Sequence, residues 1–237
     1  MSYDAGNRST VVTRAEALVD EGLRQYMLRV YNYMTGGLAL TGIVAWLTAS
    51  SPAMIQAIYG TPLLWVVMLA PLGFVLFLSF RINKMSLATA QTAFWLYAAV
   101  MGLSMASIFL VYTGGSVARV FFISAGAFAA TSLYGYTTKR DLSAFGSFLF
   151  MGLIGIIIAA LVNIFLASSA LQFAISVIGV IVFTGLTAYD TQSIKEVYLE
   201  SDSSEIAGKK TVMGALRLYL DFINLFVMLL QLLGQRR

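Results

Sequence analysis

The sequence predicts an all-α polytopic membrane protein with seven transmembrane helices. Of its 237 residues, 59% are hydrophobic and only 11% are charged, whereas a soluble domain carries about 25% charged residues. The apolar residues occur in runs of about 20, which is long enough to cross a hydrocarbon core about 30 Å thick at about 1.5 Å per residue. These runs occupy nearly all of the chain after Arg24 and leave no room for a second domain.

The seven apolar runs follow one another with short connections between them. They lie at 27–47, 63–80, 87–112, 117–136, 145–167, 171–189 and 213–233. The first connection, 50–62, carries no charge, and the stretch 191–210 is polar and is predicted to be the longest loop. The predicted domains are therefore a polar N-terminal tail, 1–24, and a seven-helix transmembrane domain, 25–237.

The Lys and Arg residues predict the orientation. Of the fifteen, the predicted topology places twelve on the side of the N-terminus: Arg8, Arg14, Arg24, Arg29, Arg81, Lys84, Lys139, Arg140, Lys195, Lys209, Lys210 and Arg217. Because cytoplasmic loops are enriched in basic residues, the N-terminus is predicted to be cytoplasmic. A full final crossing puts Arg236 and Arg237 outside, whereas a segment that dips in and returns would keep them inside. The length of 213–233 favours the full crossing.

Composition excludes several classes of function. The chain has no cysteine and no histidine, so it has no disulfide, no thiolate metal site and no Ser/His or Cys/His nucleophile pair. It also lacks a phosphate-binding G-x-x-x-x-G-K-[ST] loop. We expect no enzymatic activity and no bound cofactor. The net charge of +4 belongs to loop residues that set orientation, so the expected partner is the lipid bilayer and not nucleic acid.

Two aspartates lie within or at the ends of apolar runs and are the main candidate functional residues. Asp221 lies about eight residues into the last run, with Asn224 one turn further along the same face. Asp190 closes the sixth run, or lies inside that helix if the helix continues through 191–194. Because the two runs are joined by one loop, they are predicted to be antiparallel neighbours, and the two aspartates could then face each other.

A pair of buried carboxyl groups predicts a pH-controlled cation pathway. Two close carboxyl groups compete for protons, and no histidine is present to sense pH instead. Their hard oxygen atoms suit Ca²⁺, so Asp190 and Asp221 are also the candidate metal ligands. Arg81, at the end of the second run, is the candidate latch that holds the pair shut. We expect protonation at low pH to release Arg81 and prevent Ca²⁺ binding, and ionisation near neutrality to admit Ca²⁺.

Structural roles are the alternatives at each position. Asp221 could pair only with Arg217, which lies four residues earlier on the same helix face. Asp190 could be a solvated residue at a helix end. Arg81 could be an anchor that extends its charge to the membrane surface.

Two runs near the C-terminus carry a family resemblance. They read VFTGLTAYDTQSI at 182–194 and GALRLYLDFINLF at 214–226, and SLYGYTTKRDLS at 132–143 resembles a family linker between the fourth and fifth spans. The chain resembles the Bax inhibitor-1 family, also called the transmembrane Bax inhibitor motif-containing proteins, from about Arg24 to its end. The lack of a basic C-terminal tail resembles the bacterial branch, which implies the inner (plasma) membrane.

The resemblance implies a seven-helix fold with the last helix at its centre. It also implies a pH-sensitive Ca²⁺ leak in which Asp190 and Asp221 are the sensor and Arg81 is the latch. Family members are further linked to suppression of cell death and to control of a membrane protease.

Three functions therefore compete. The first is a Ca²⁺ leak channel gated by protonation of the aspartate pair, with Ca²⁺ and protons as its ligands. The second is a membrane-bound modulator of a partner protein, with structural aspartates. The third, the least favoured, is a proton-coupled transporter.

Overall fold

The protein is a bundle of α-helices. A computed structural model describes residues 5–237, with side chains from Asp20 onward, and no β-strand occurs in that range. The helices are α1 Ala5–Ala49, α2 Pro52–Tyr59, α3 Leu63–Arg81, α4 Leu87–Val111, α5 Gly114–Thr137, α6 Ser143–Leu166, α7 Ser169–Glu196 and α8 Ser204–Leu233, with a short 3₁₀ turn, Ile82–Lys84, after α3.

The helices have the dimensions of membrane spans. Within residues 20–237, the six helices α3 to α8 are long and apolar enough to cross a membrane. The helix α1 meets α2 at 98°, and the two together make a seventh span if the bent pair is counted as one broken span. The predicted all-α polytopic membrane fold is confirmed.

Two connections differ from the prediction. The uncharged 50–62 contains helix α2, because the Ser51 hydroxyl accepts the Met54 N–H and Pro52 occupies the first helical position. The polar stretch 191–210 is mostly helical: α7 continues to Glu196, and α8 begins after Ser203, whose hydroxyl accepts the Ile206 N–H. Polar residues show that this part of the chain lies at the surface, but they do not show that the helices end there. Only 197–203 is therefore a loop.

The predicted boundary between the tail, 1–24, and the first span lies inside one continuous helix. The helix α1 begins at Ala5 and continues into the first span. Residues 1–4, and the side chains before Asp20, lie outside the described part of the chain. The tail's cytoplasmic location stays a prediction.

The last helix, α8, lies at the centre of the bundle. It packs against α1, α4, α5 and α7. In its most apolar stretch 56% of the residues are buried within the protein, compared with 11% for α6, which faces outward. Most side chains in the middle of α8 are therefore surrounded by protein, as the resemblance implied.

Both ends of α8 are placed by contacts with the segments next to other helices. At its start, the Lys210 Nζ donates to the Val197 carbonyl at 2.8 Å and pairs with the Asp202 carboxylate at 2.6 Å. At its end, the Arg236 guanidinium lies 6.0 Å from the Tyr112 ring, next to the end of α4. The helix thus runs the full height of the bundle. We call the end of the bundle where α8 begins, and where α3 and α7 end, the N-terminal side. The opposite end, where α8 ends, is the far side.

Candidate functional site

Asp221 lies in the middle of the central helix. It is the most deeply buried charged side chain among the described residues, with 5% of its surface exposed. Its Oδ2 atom is buried and accepts no hydrogen bond from the described part of the chain. Burying a polar atom that has no hydrogen-bond partner costs free energy, and a proton or an ion bound to the atom can offset that cost. Such atoms therefore often mark functional sites.

Asp190 lies on the neighbouring helix and faces Asp221. The helix α7 does not stop at Asp190 but continues for six residues to Glu196, so the aspartate lies inside the helix. The carboxyl groups of Asp190 and Asp221 are neighbours across the α7–α8 interface. Because an ionised carboxylate can only accept, a hydrogen bond between the two groups requires a proton on one of them. The structure therefore brings together the two residues that the sequence singled out.

Arg217 is the arginine that lies beside the pair. Its Nη1 atom is 4.0 Å from Asp190 Oδ1, with the arginine side chain 52% exposed and the aspartate side chain 17% exposed. The alternative interpretation paired Arg217 with Asp221 on its own helix, but the ion pair is formed with Asp190 across the helix interface. The contact is long and half-exposed, so its contribution to stability is small.

The other predicted site residues lie apart from the pair. Arg81 is exposed at the end of α3 and forms no ion pair with any residue from Asp20 onward. Its neighbours Ile82 and Asn83 line the same cavity as Arg217. The amide of Asn224 donates to the Leu220 carbonyl of its own helix at 2.9 Å. The roles of Arg81 as a latch and Asn224 as a supporting polar group stay predictions.

Two polar cavities lie at opposite ends of the α7–α8 interface. The cavity on the N-terminal side has a volume of about 370 Å³ and is lined by Arg217, Lys209 and Lys210. The cavity on the far side has a volume of about 380 Å³, and there Gln231 accepts hydrogen bonds of 2.7 Å from both Gln172 and Ser176.

Apolar packing separates the far cavity from the aspartates. Gln231 lies ten residues after Asp221, or about 15 Å along the helix. Between them Leu225 is fully buried, and Gly179 allows the Met228 side chain to pack directly against the α7 backbone. The aspartate pair is therefore nearer the cavity on the N-terminal side than the cavity on the far side.

The two carboxyl groups form a small donor set for a metal ion. Within residues 20–237 no group of three or more acidic, His or Cys side chains lies together. Ca²⁺ prefers six to eight oxygen ligands, and the pair supplies only the four oxygens of Asp190 and Asp221. Water or backbone carbonyls would have to complete the shell, which is typical of a weak site that an ion can leave.

Comparison with known proteins decides the family. A family profile described as "Inhibitor of apoptosis-promoting Bax1" matches residues 23–237. The chain belongs to the Bax inhibitor-1 family. An uncharacterized protein of Rickettsia prowazekii is 49% identical over 97% of this chain and 98% of its own length. The "Inner membrane protein YbhL" of Escherichia coli is also 49% identical, over 94% of this chain and 98% of its own length.

In this Bax inhibitor-1 family protein, two hydrogen-bonded groups near the pair were not anticipated from the sequence. Ser132 lies between Tyr31 and Thr191, with oxygen–oxygen distances of 2.6 Å and 2.9 Å. On another face of α8, the Tyr219 hydroxyl lies 2.6 Å from the Thr41 hydroxyl, which donates to the Ala98 carbonyl. The available signal was polar residues inside apolar runs, but sequence spacing does not show which helices they join.

Gln192 connects the family linker to the site helix. Its Nε2 donates to the Arg140 carbonyl at 2.8 Å, and its Oε1 accepts the Leu142 N–H at 2.9 Å. The 132–143 segment is therefore held against α7 two residues after Asp190. Both partners are backbone groups, so the bond pattern requires an amide at this position.

Proposed function

We propose that the protein is a pH-sensitive Ca²⁺ leak channel gated by protonation of Asp190 and Asp221. The observation that carries the proposal is the pair of facing carboxyl groups on α7 and the buried centre of α8. Ionisable groups inside a membrane bundle are expensive and commonly mark an ion pathway. A cavity lies at each end of the same interface, so an ion would have to cross only the apolar layer between them.

The proposed gate opens by loss of the shared proton. With one proton between them, the two carboxyl groups hold α7 and α8 together, and the interface toward the far side stays closed. After the proton leaves, two negative charges face each other in a medium of low polarity and repel. Separation of the helices would then open the apolar layer around Met228 and Leu225, and the paired carboxylates would attract a divalent cation.

The test is Ca²⁺ flux into dye-loaded liposomes that contain the purified full-length protein, measured from pH 6 to pH 8. In the wild type we expect flux to rise with pH, by up to about tenfold per pH unit for a single titrating gate. The variant Asp221→Asn cannot ionise at this position. We expect its flux to vary less than about twofold over the same range, because the charge that separates the helices no longer forms.

Asp141→Asn is the matched control. Asp141 lies in the exposed loop before α6, where the Ser143 hydroxyl and N–H hold the pKa of this carboxyl below its usual value. A lowered pKa means that Asp141 loses its charge only well below pH 6, so it contributes no pH dependence between pH 6 and pH 8. Its variant should retain the wild-type profile. Flux equal to empty liposomes at every pH, with folded protein, would reject the channel.

The alternative is a membrane-bound modulator of a partner protein, in which the aspartates only hold α7 to α8. The closed apolar layer between the two cavities is also what a protein that conducts no ions would have. A modulator should keep its cellular function in Asp221→Asn and lose it when the tail before Arg24 is removed. A channel predicts the opposite result for both variants.

A further inference from the structure

A groove on the outer surface of the bundle lies between α1 and α5. Both helices pack against α8, but they barely touch each other. The space between them has a volume of about 760 Å³. We call it the α1–α5 groove, and it is defined by Leu28, Met34 and Leu38 of α1 and by Phe121, Phe128 and Leu133 of α5. A second cavity of about 430 Å³ shares Leu38 and Phe121 with it, so the groove continues toward the far side.

The groove changes from polar to apolar along its length. Its end on the N-terminal side is lined by Arg24, Tyr31, Ser132 and Tyr136, whereas the rest is almost entirely aliphatic and aromatic. The ammonium of Lys195 donates to the Tyr136 carbonyl at 2.9 Å. Arg24 and two tyrosines therefore line the polar end of an apolar groove, and Lys195 lies behind Tyr136. Basic and aromatic residues of this kind contact lipid headgroups at the membrane surface.

The charge at this end is available to a ligand. Arg24 contacts Glu21 at 3.3 Å, but both side chains are more than half exposed, at 64% and 53%. An exposed pair of this kind is held weakly and can exchange its partner. Arg24 can therefore turn from Glu21 to an anionic group at the mouth of the groove, for which its planar guanidinium is well suited.

The dimensions fit an extended chain better than a helix. On α1 the lining runs from Arg24 to Ala39, about 22 Å at 1.5 Å per residue, which exceeds the depth of one leaflet, about 15 Å. An α-helix about 10 Å wide and 22 Å long fills roughly 1700 Å³, more than twice the 760 Å³ of the groove. A single hydrocarbon chain is narrower and can lie along the groove.

We propose that the α1–α5 groove is a binding site for one anionic phospholipid. Its phosphate lies by Arg24 and Tyr136, and one acyl chain extends past Met34 and Phe128 toward Phe121. The site is linked to the residue that follows each aspartate. Phe222, which follows Asp221, lines the groove, and Ser132 at its polar end is hydrogen-bonded to Thr191, which follows Asp190.

The first experiment is photo-cross-linking of the full chain in nanodiscs of phosphatidylcholine. They contain a small fraction of phosphatidylglycerol with a diazirine on one acyl chain, and mass spectrometry locates the labelled peptides. We expect labelling of 121–136 to exceed that of the outward-facing 145–166 by at least about threefold, or roughly 0.7 kcal/mol at 1.4 kcal/mol per tenfold. Equal labelling of the two segments would overturn the proposal.

The second experiment fills the groove. Ala129 lines it, so Ala129→Trp should return the labelling of 121–136 to the level of 145–166. Ala130 is exposed on the same helix but lies outside the groove, so Ala130→Trp should leave the enrichment unchanged. If Ala129→Trp does not fold, Ala125→Leu places a smaller side chain in the same groove. Enrichment that survives a folded groove-filling variant would overturn the proposal.

Two further results would decide the nature of the occupant. Equal enrichment with a diazirine phosphatidylcholine would overturn the anionic headgroup, whereas weaker enrichment would support it. A photo-reactive residue at Ala129 in intact cells should cross-link to lipid. Cross-linking to a protein in its place would assign the groove to a partner helix and overturn the proposal.

Discussion

Substitution of Gly135 by alanine tests the close approach of α5 to α7 beside the aspartate pair. A β-carbon at Gly135 would lie 2.8 Å from the carbonyl carbon of Ala188 and 2.9 Å from its Cα, whereas ordinary contact begins at 3.4 Å. Both are backbone atoms of α7, so no side chain can rotate away. The two helices must separate by at least about 0.6 Å, and overpacking of this kind costs about 1–3 kcal/mol.

Gly126 on the same helix is the matched control, because a β-carbon there meets nothing within 4 Å. Replacing glycine by alanine inside a helix is otherwise stabilising by about 0.5–1 kcal/mol. Gly126→Ala should therefore raise the free energy of unfolding by that amount, and Gly135→Ala should lower it. Because the gain from replacing glycine is common to both variants, we expect a difference between them of about 1–3 kcal/mol, the overpacking cost alone.

The free energies of unfolding can be measured by circular dichroism in mixed micelles with increasing sodium dodecyl sulfate. Because Ala188 lies two residues before Asp190, Gly135→Ala should also alter the pH dependence of Ca²⁺ flux, whereas Gly126→Ala should not. If the two variants were equally stable, α5 and α7 would not be packed backbone to backbone at this point, and the reasoning would be refuted.

Three more predictions concern single contacts. Arg217→Gln should lower Ca²⁺ flux at pH 7 by about two- to threefold, because its charge no longer offsets that of Asp190 at 4.0 Å. Arg81→Gln should change the flux less, whereas a rise in flux in that variant would support Arg81 as the latch. Gln192→Leu should speed amide hydrogen exchange at 140–142 by about tenfold, since the Leu142 N–H loses its acceptor. Unchanged exchange would mean that other contacts hold the 132–143 segment. Tyr219→Phe should lower the free energy of unfolding by about 0.6 kcal/mol and by no more than about 1.7 kcal/mol. The loss is small because the Thr41 hydroxyl keeps its bond to the Ala98 carbonyl. A larger loss in a denaturant titration would contradict this reasoning.

Particular residues show how far the sequence could be interpreted. Asp221 was identifiable because it stands alone in an apolar run, and a carboxyl group in that setting needs a reason to be there. Asp190 was harder, since it lies where the apolar run ends, and its place inside α7 depends on polar residues 191–196 staying helical. The 50–62 segment shows no helical period because the eight residues of α2 are too few for one, although Ser51 and Pro52 mark the start of that helix.

The sequence by itself determined the length and order of the spans α3 to α8, because crossing a hydrocarbon layer depends on local composition and on the rise of a helix. It also determined that any proton sensor must be a carboxyl group, since histidine is absent. The tertiary structure decided that Arg217, and not Arg81, lies beside Asp190, and that α1 and α5 leave a groove open between them. Such features depend on how each helix is rotated about its axis and on which helices it packs against. Contacts between residues far apart in the chain decide both.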